Sequence, residues 1–181
     1  EAFFSVRDFN VFGVIDRSDY ASTPVSVNQL VDITDDADPE LPFASAGWQL
    51  RLVQGPGEKV LGESLTFDNT TFFTSFTPGR TASECTSGAG TNRLYAISVF
   101  DGSPRTNFDF PLDDEPLTVE DRFRTLSTGI PVTDVNRFQL ESGMRICAGT
   151  ECLTDEEMER LRLRRNPLKR TYWFQREGQG N

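Results

Sequence analysis

The chain has 181 residues, enough for one domain with a real core, and 36% of them are hydrophobic, with 15 Phe supplying much of that share. A net charge of −10 disfavours a general affinity for nucleic acid or anionic membrane, and no apolar run is long enough for a transmembrane helix. The sequence contains no His, which removes the commonest general base, the usual catalytic triads and most zinc sites.

The chain opens on Glu1 close to a strand, and reads as a segment whose upstream part lies elsewhere. Residues 3–15 (FFSVRDFNVFGVI) predict one or two strands. Residues 16–46 are acidic, carry Pro24, Pro39 and Pro42, and read as loop. Gly47–Leu52 predicts a strand with Trp48, Leu50 and Leu52 on one face, and Gln54–Gly57 a turn.

The most informative stretch runs from Lys59 to Pro104. Its flanks are rich in Phe, Thr, Val and Leu, the types that fit a pleated surface. Asp68-Asn69 supplies the positive φ a two-residue hairpin turn needs. A further strand at Arg93–Phe100 ends on Asp101-Gly102, giving three short antiparallel strands. On this last strand Leu94, Ala96 and Phe100 share one side, and Tyr95, Ile97 and Val99 the other. Along Thr71–Thr77, Phe72 and Phe76 oppose Phe73. A sheet with one wet face alternates apolar and polar residues. This one is apolar on both sides and demands cover on both, as a propeller blade receives from its neighbours or a sandwich core strand from its surroundings. The reading expects that 181 residues cannot supply that cover alone, because a closed propeller takes about four to eight blades of roughly 40–50 residues.

After Pro104 the pattern loosens. Residues 107–118 read as loop, and a short strand is expected near Ile130-Pro131-Val132. Phe138–Leu140 and Met144–Ile146 flank a second hairpin. The convincing helix covers about 154–165: Thr154 and Glu157 form a capping box, Leu153 and Met158 a hydrophobic staple, and Asn166-Pro167 stops it. Residues 170–176 (RTYWFQR) predict a closing strand.

The chemistry-bearing residues are few. Cys147 and Cys152 are spaced for a small disulfide loop, which suits an exported protein; a bridge from Cys85 to either is the alternative. Asp32, Asp35, Asp36, Asp38 and Glu40 lack the spacing and glycine of an EF-type calcium loop, so they read as a solvated acidic loop. Asp109, Asp113, Asp114 and Glu115 read likewise. Arg160, Arg162, Arg164, Arg165, Lys169, Arg170 and Arg176 make the tail basic, +2 from residue 154 onward against −12 before it. They read as a helix end facing acidic neighbours rather than a nucleic-acid- or protein-binding patch. Trp48 and Trp173 could stack sugars, but burial is the commoner fate. Leu94-Tyr95-Ala96 with Asp101-Gly102 matches one copy of the repeat of quinoprotein dehydrogenases.

Gly-Trp-Gln-Leu-Arg-Leu from Gly47, Gly-Glu-Lys-Val from Gly57, the hairpin ending in Phe72-Phe73-Thr74, the Cys/Gly-rich loop and Leu94-Tyr95-Ala96 resemble the C-terminal β-propeller of the type IV pilus tip-associated PilC/PilY family. Phe3–Val11 and Arg170–Glu177 resemble further strands of it. The resemblance covers most of the chain and is strongest at 47–104. It implies a mainly β fold: antiparallel blades from the last third or so of one propeller, spanning 1–181, with 47–104 the best-defined blade. It also implies a non-catalytic role in pilus assembly, surface adhesion and twitching motility. The implied location is extracellular, at the pilus tip. The implied partners are the rest of the propeller, minor pilins or pilin, and a host or abiotic surface, with no nucleic acid and no membrane span. No catalytic, cofactor or metal residue is carried over. The family's Asp-x-Asp-x-Asp calcium loop and its Arg-Gly-Asp motif are absent here, so calcium belongs to other parts of such proteins. The competing expectation is an exported propeller enzyme, a quinoprotein-like dehydrogenase or a hydrolase. A secreted glycan-binding β-sandwich is a third.

Overall fold

In the computed structural model, β6 (Thr70–Gly79) and β7 (Gly88–Ser98) pair along almost their whole length and form the central ribbon. The structure describes residues 1–9, 24–79, 88–108, 116–140 and 143–161. β4 (Lys59–Val60) and β5 (Leu65–Phe67) pair with the outer edge of β6, and β8 (Phe123–Thr125) with that of β7, making a five-stranded sheet. A second sheet joins β1 (Ala2–Val6), β3 (Gly47–Arg51) and β2 (Val31–Asp32) in the order β1-β3-β2. The third joins β9 (Val135–Leu140), β10 (Gly143–Ala148) and β11 (Glu151–Cys152), and helix α1 (Asp155–Arg160) follows it.

The expected turn forms at Asp68-Asn69, with φ of 47° and 63°. Two successive positive φ values match the right-handed twist of the flanking strands, and Asp and Asn tolerate that region better than most residues. The turn aligns Phe67 opposite Thr70 and Leu65 opposite Phe72.

Both faces of the ribbon are buried. On one side Phe72, Leu94 and Ala96 pack against Leu126, Val135, Ile146, Ala148, Leu153, Met158 and Leu161. Phe72 lies directly across from Ala96, so a large side chain meets a small one. On the other side Phe73, Tyr95 and Ile97 pack against Ile33, Trp48, Leu50 and Leu52. Here the rings form a continuous row: Phe3 stacks on Phe73 at 4.1 Å and Phe73 on Tyr95 at 4.6 Å, and Tyr95 tilts against Phe123 at 5.3 Å. The buried hydroxyls between these side chains have partners. Thr74 Oγ1 donates to Val132 O at 2.8 Å, and the Thr66 and Thr71 hydroxyls bond at 3.1 Å. Buried polar groups left without partners would cost about 1–3 kcal/mol each.

The ribbon thus sits in a three-layer stack, and the expectation that its cover must come from outside these residues is corrected. The N-terminal strands cover one face and β9–β11 with α1 the other. Gly47 allows the close approach of β1 and β3: at φ +136° a Cβ there would lie 1.9 Å from Ser5 O. None of the three sheets closes on itself among the described residues.

Other departures have physical causes. β2, inside the stretch read as loop, pairs in parallel with β3, an exception to the antiparallel pattern. Residues 130–132 form no strand. Pro131 has no N–H to offer a ladder, and the side chain of Asn92 holds the segment instead, donating to Thr128 O and Ile130 O and accepting from Val132 N at 2.7–2.8 Å. β8 lies earlier, at 123–125. Phe100 falls beyond the end of β7 and is exposed. Residues 47–104 contribute to two sheets, β3 to one and β4–β7 to another. α1 has its capping box, with Thr154 Oγ1 accepting from Glu157 N at 3.2 Å and Glu157 Oε2 from Thr154 N at 2.6 Å. Leu153 and Met158 are both buried in the cluster beneath it. Arg124 of β8 reaches both carboxylate oxygens of Glu157 at 2.8 Å, tying the helix to the ribbon's edge. The helix positions beyond 161, the proposed strand at 170–176, the turn at 141–142, residues 109–115 and the second half of 3–15 lie outside the described residues.

Phe73→Ala should lower the free energy of urea unfolding by about 3–5 kcal/mol, and Phe100→Ala by less than about 0.5 kcal/mol. The same measurement on both variants separates ribbon packing from surface exposure.

Candidate docking face and its buried supports

The described part of the 16–46 loop folds back toward the end of β1 around one cation. Arg7 N donates to Ala46 O at 2.9 Å. Its guanidinium reaches Pro42 O at 3.3 Å, Ser45 Oγ at 3.4 Å and Phe100 O at 3.5 Å. Apolar side chains surround this anchor and point outward: Val6, Phe9, Phe43 and Phe100, with Phe43 89% exposed. The Phe9 and Phe43 rings lie 6.3 Å apart. Exposed large hydrophobics gathered in one place mark an interaction surface, whereas single ones do not. Of the Cys/Gly-rich loop between β6 and β7, residues 80–87 lie outside the described residues.

Beneath the opposite end of the ribbon lies a buried polar network. Glu58 is 1% exposed, in the turn that precedes β4. Ser75 Oγ donates to its carboxylate at 2.5 Å, Tyr95 OH at 3.1 Å and Gln54 N at 2.9 Å. Arg93 Nη1 stands 3.6 Å away and also donates to Thr77 Oγ1 at 2.9 Å, while Nη2 reaches Gln54 O at 3.1 Å. A buried carboxylate with this many donors is held for structure: its charge is compensated and its lone pairs are taken. Burial first, then the negative charge and hydrogen bonding of Glu58, push the Tyr95 phenol far above its ordinary value of 10.0.

The acidic cluster is solvated, as its composition suggests. Asp35, Asp36, Asp38 and Glu40 are exposed. Asp32 pairs with Arg51 at 2.9 Å. Hydrogen bonding from the Thr34 hydroxyl, opposed by burial and helped by Arg51, holds the Asp32 carboxyl below the usual carboxylate range. No group of three or more His, Cys, Asp or Glu among the described residues is arranged to hold a metal ion.

Cys147 and Cys152 face each other across β10 and β11 and are joined by a disulfide. Cys85 lies outside the described residues. Trp48 is buried against Phe3 and cannot stack a sugar. Trp173 lies outside, with Arg162, Arg164, Arg165, Lys169, Arg170 and Arg176. Arg160 pairs with Glu156 at 3.5 Å. Leu94, Tyr95 and Ala96 are core residues of β7.

Sequence reasoning missed Glu58, Arg93 and Arg122. Arg93 and Tyr95 stand two apart on one strand face, and that spacing was the available signal for the first pair. Arg122 is 1% exposed, and its three partners are backbone carbonyls, which carry no sequence signal.

No family model matches the chain, and no curated protein matches it. Among solved structures it is similar to one described as the crystal structure of the Pseudomonas aeruginosa PilY1 C-terminal domain. The TM-score is 0.55 and the identity 13%, over 92% of this chain and 37% of that one. At that identity the likeness concerns the fold, which is PilY1-like and mainly β. The chain spans 37% of the length of that structure. No helix among the described residues is long and apolar enough to cross a membrane.

Glu58→Ala should cost about 2–4 kcal/mol of stability, because it strands Arg93, Tyr95 and Ser75 together. The raised Tyr95 pKa means that the folded state keeps a proton which the unfolded chain loses. The stability it brings is whole below the phenol's ordinary value of 10.0 and is lost as pH rises above it. That loss should run at about 1.4 kcal/mol per pH unit. Unfolding measured against pH on wild type and Tyr95→Phe should show this alkaline loss in the wild type, and a shallower one in the variant.

Proposed function

We propose that this chain is a non-catalytic part of a type IV pilus-associated protein, forming a portion of a β-propeller that acts in pilus assembly, surface adhesion and twitching motility. One observation carries the reading: the likeness of fold to the PilY1 C-terminal domain over 92% of the chain. A ribbon buried on both faces is compatible with a blade-like unit in a larger stack. On this reading the protein works outside the cell, at the pilus tip, and its partners are the rest of the propeller, minor pilins or pilin, and the surface to which the cell attaches. The disulfide between Cys147 and Cys152 fits an exported protein. The commitment of Glu58 to internal hydrogen bonds supports the non-catalytic reading over the enzymatic one.

The mechanism is docking. The outward rings of Phe9, Phe43 and Phe100 around Arg7 offer an apolar anchor of the kind that dominates protein interfaces.

The protein should fractionate with sheared pili from its source organism, and cells lacking it should display fewer pili. The double variant Phe43→Asp and Phe100→Asp should keep the wild-type melting temperature yet bind its pilus partner about 30-fold more weakly. Absence from the pilus fraction together with normal piliation in the deletion strain would remove the pilus reading.

A further inference from the structure

Arg122 ends a short 3-10 turn, Val119–Arg122, whose start is held by Asp121. The Asp121 carboxylate accepts from Thr118 N at 2.8 Å and from Phe108 N at 2.9 Å. From this anchored turn the guanidinium enters the interior and meets three backbone carbonyls from two distant segments. Nε donates to Gly102 O at 2.9 Å, Nη1 to Thr34 O at 3.0 Å, and Nη2 to Asp36 O. Among the described residues no carboxylate pairs with it, yet Asp36, Asp101 and Asp35 all lie near enough to favour its charge. Burial opposes them and lowers its pKa from the ordinary guanidinium value. Guanidinium ions stay charged in proteins all the same.

The acidic loop is wound to aim its carbonyls inward. Asp32 Oδ1 accepts from Thr34 N at 3.1 Å and Thr34 Oγ1 at 2.6 Å, and Asp38 N donates to Asp36 Oδ1 at 3.0 Å. Ile33, fully buried, pins the loop to the Asp101-Gly102 turn. Gly102 takes φ +71°, and a Cβ on it would lie 2.1 Å from Ile33 Cδ1, so the third carbonyl is presented by a position only glycine fills. Several carbonyl oxygens converging beneath a set of acids is the donor arrangement proteins use for hard cations.

We propose that the Arg122 guanidinium is the resident cation of this loop: it gathers the Thr34, Asp36 and Gly102 carbonyls as a bound metal ion would, and makes residues 32–38 fold independently of divalent cations. Asp35 and Asp36 stay exposed and Asp101 is half-buried, its carboxylate held by Ser103; all three supply compensation at a distance rather than ligands. This inference is independent of the pilus reading.

The test is the melting temperature of the chain. Wild type should shift by less than about 1 °C between millimolar calcium and EDTA. Arg122→Ala should melt about 10 °C lower, because three carbonyls and a buried cavity lose their partner. Millimolar guanidinium, compared with sodium, should raise the melting temperature of Arg122→Ala by several degrees without helping wild type. Arg122→Lys, with charge but no fork, should fall between the two. A wild type stabilised by calcium by more than about 5 °C would overturn the proposal, and that arm needs no variant. So would an Arg122→Met protein as stable as wild type, or an Arg122→Ala protein indifferent to guanidinium.

Discussion

Everything in this structure depends on a β-ribbon that cannot tolerate water on either face. Phe72 and Phe73 are consecutive, so they point in opposite directions, and both are fully buried. Each needs its own covering layer. The layers come from opposite ends of the sequence: β1–β3 from the first 51 residues, β9–β11 and α1 from residues 135–160. The ribbon is therefore the element that both layers share, with one apolar cluster on each of its faces. Neither covering sheet is large enough to be stable alone, since three short strands with one apolar face gain stability chiefly from what they pack on.

The polar residues of the ribbon are what make two-sided burial feasible. Thr70, Thr71, Thr74, Ser75 and Thr77 are buried along β6. Their small hydroxyls meet protein groups: Ser75 donates to Glu58 and Thr74 to Val132 O, Thr77 accepts from Arg93 and Thr70 from Arg105, and Thr71 bonds with Thr66. The same economy appears at Asn92, whose single amide holds three backbone groups of the 128–132 segment and replaces a strand there. The result is an interior with polar and apolar groups both satisfied, in a fold similar to that of the PilY1 C-terminal domain.

Local features were legible in the sequence. Asp68-Asn69 identified the tight turn, alternation placed Trp48, Leu50 and Leu52 on one buried face, and Thr154 with Glu157 identified the helix start. The pairing of Phe72 and Phe73 on opposite faces was also readable, and it correctly demanded two covers. Where those covers came from was not readable. β2 and β11 are two residues long, too short to show a period. Pro131 interrupts a run whose composition suggests a strand. Arg122 and its acceptors are separated by up to 88 residues and bond only to main chain, so no pattern of side chains announces them. Of the docking face, the exposed Phe43 was hidden in a loop whose Pro and acidic content drew attention instead to its charge.

Native-state hydrogen exchange of the β6 and β7 amides tests the central claim most directly. If both faces of the ribbon are held by layers of this same chain, the amides of Phe72, Phe73, Tyr95 and Ala96 should exchange only through global unfolding, with the same denaturant dependence as the whole domain. Exchange of those amides by a smaller opening, at a free energy well below that of unfolding, would mean that one layer leaves the ribbon on its own, and would contradict the account.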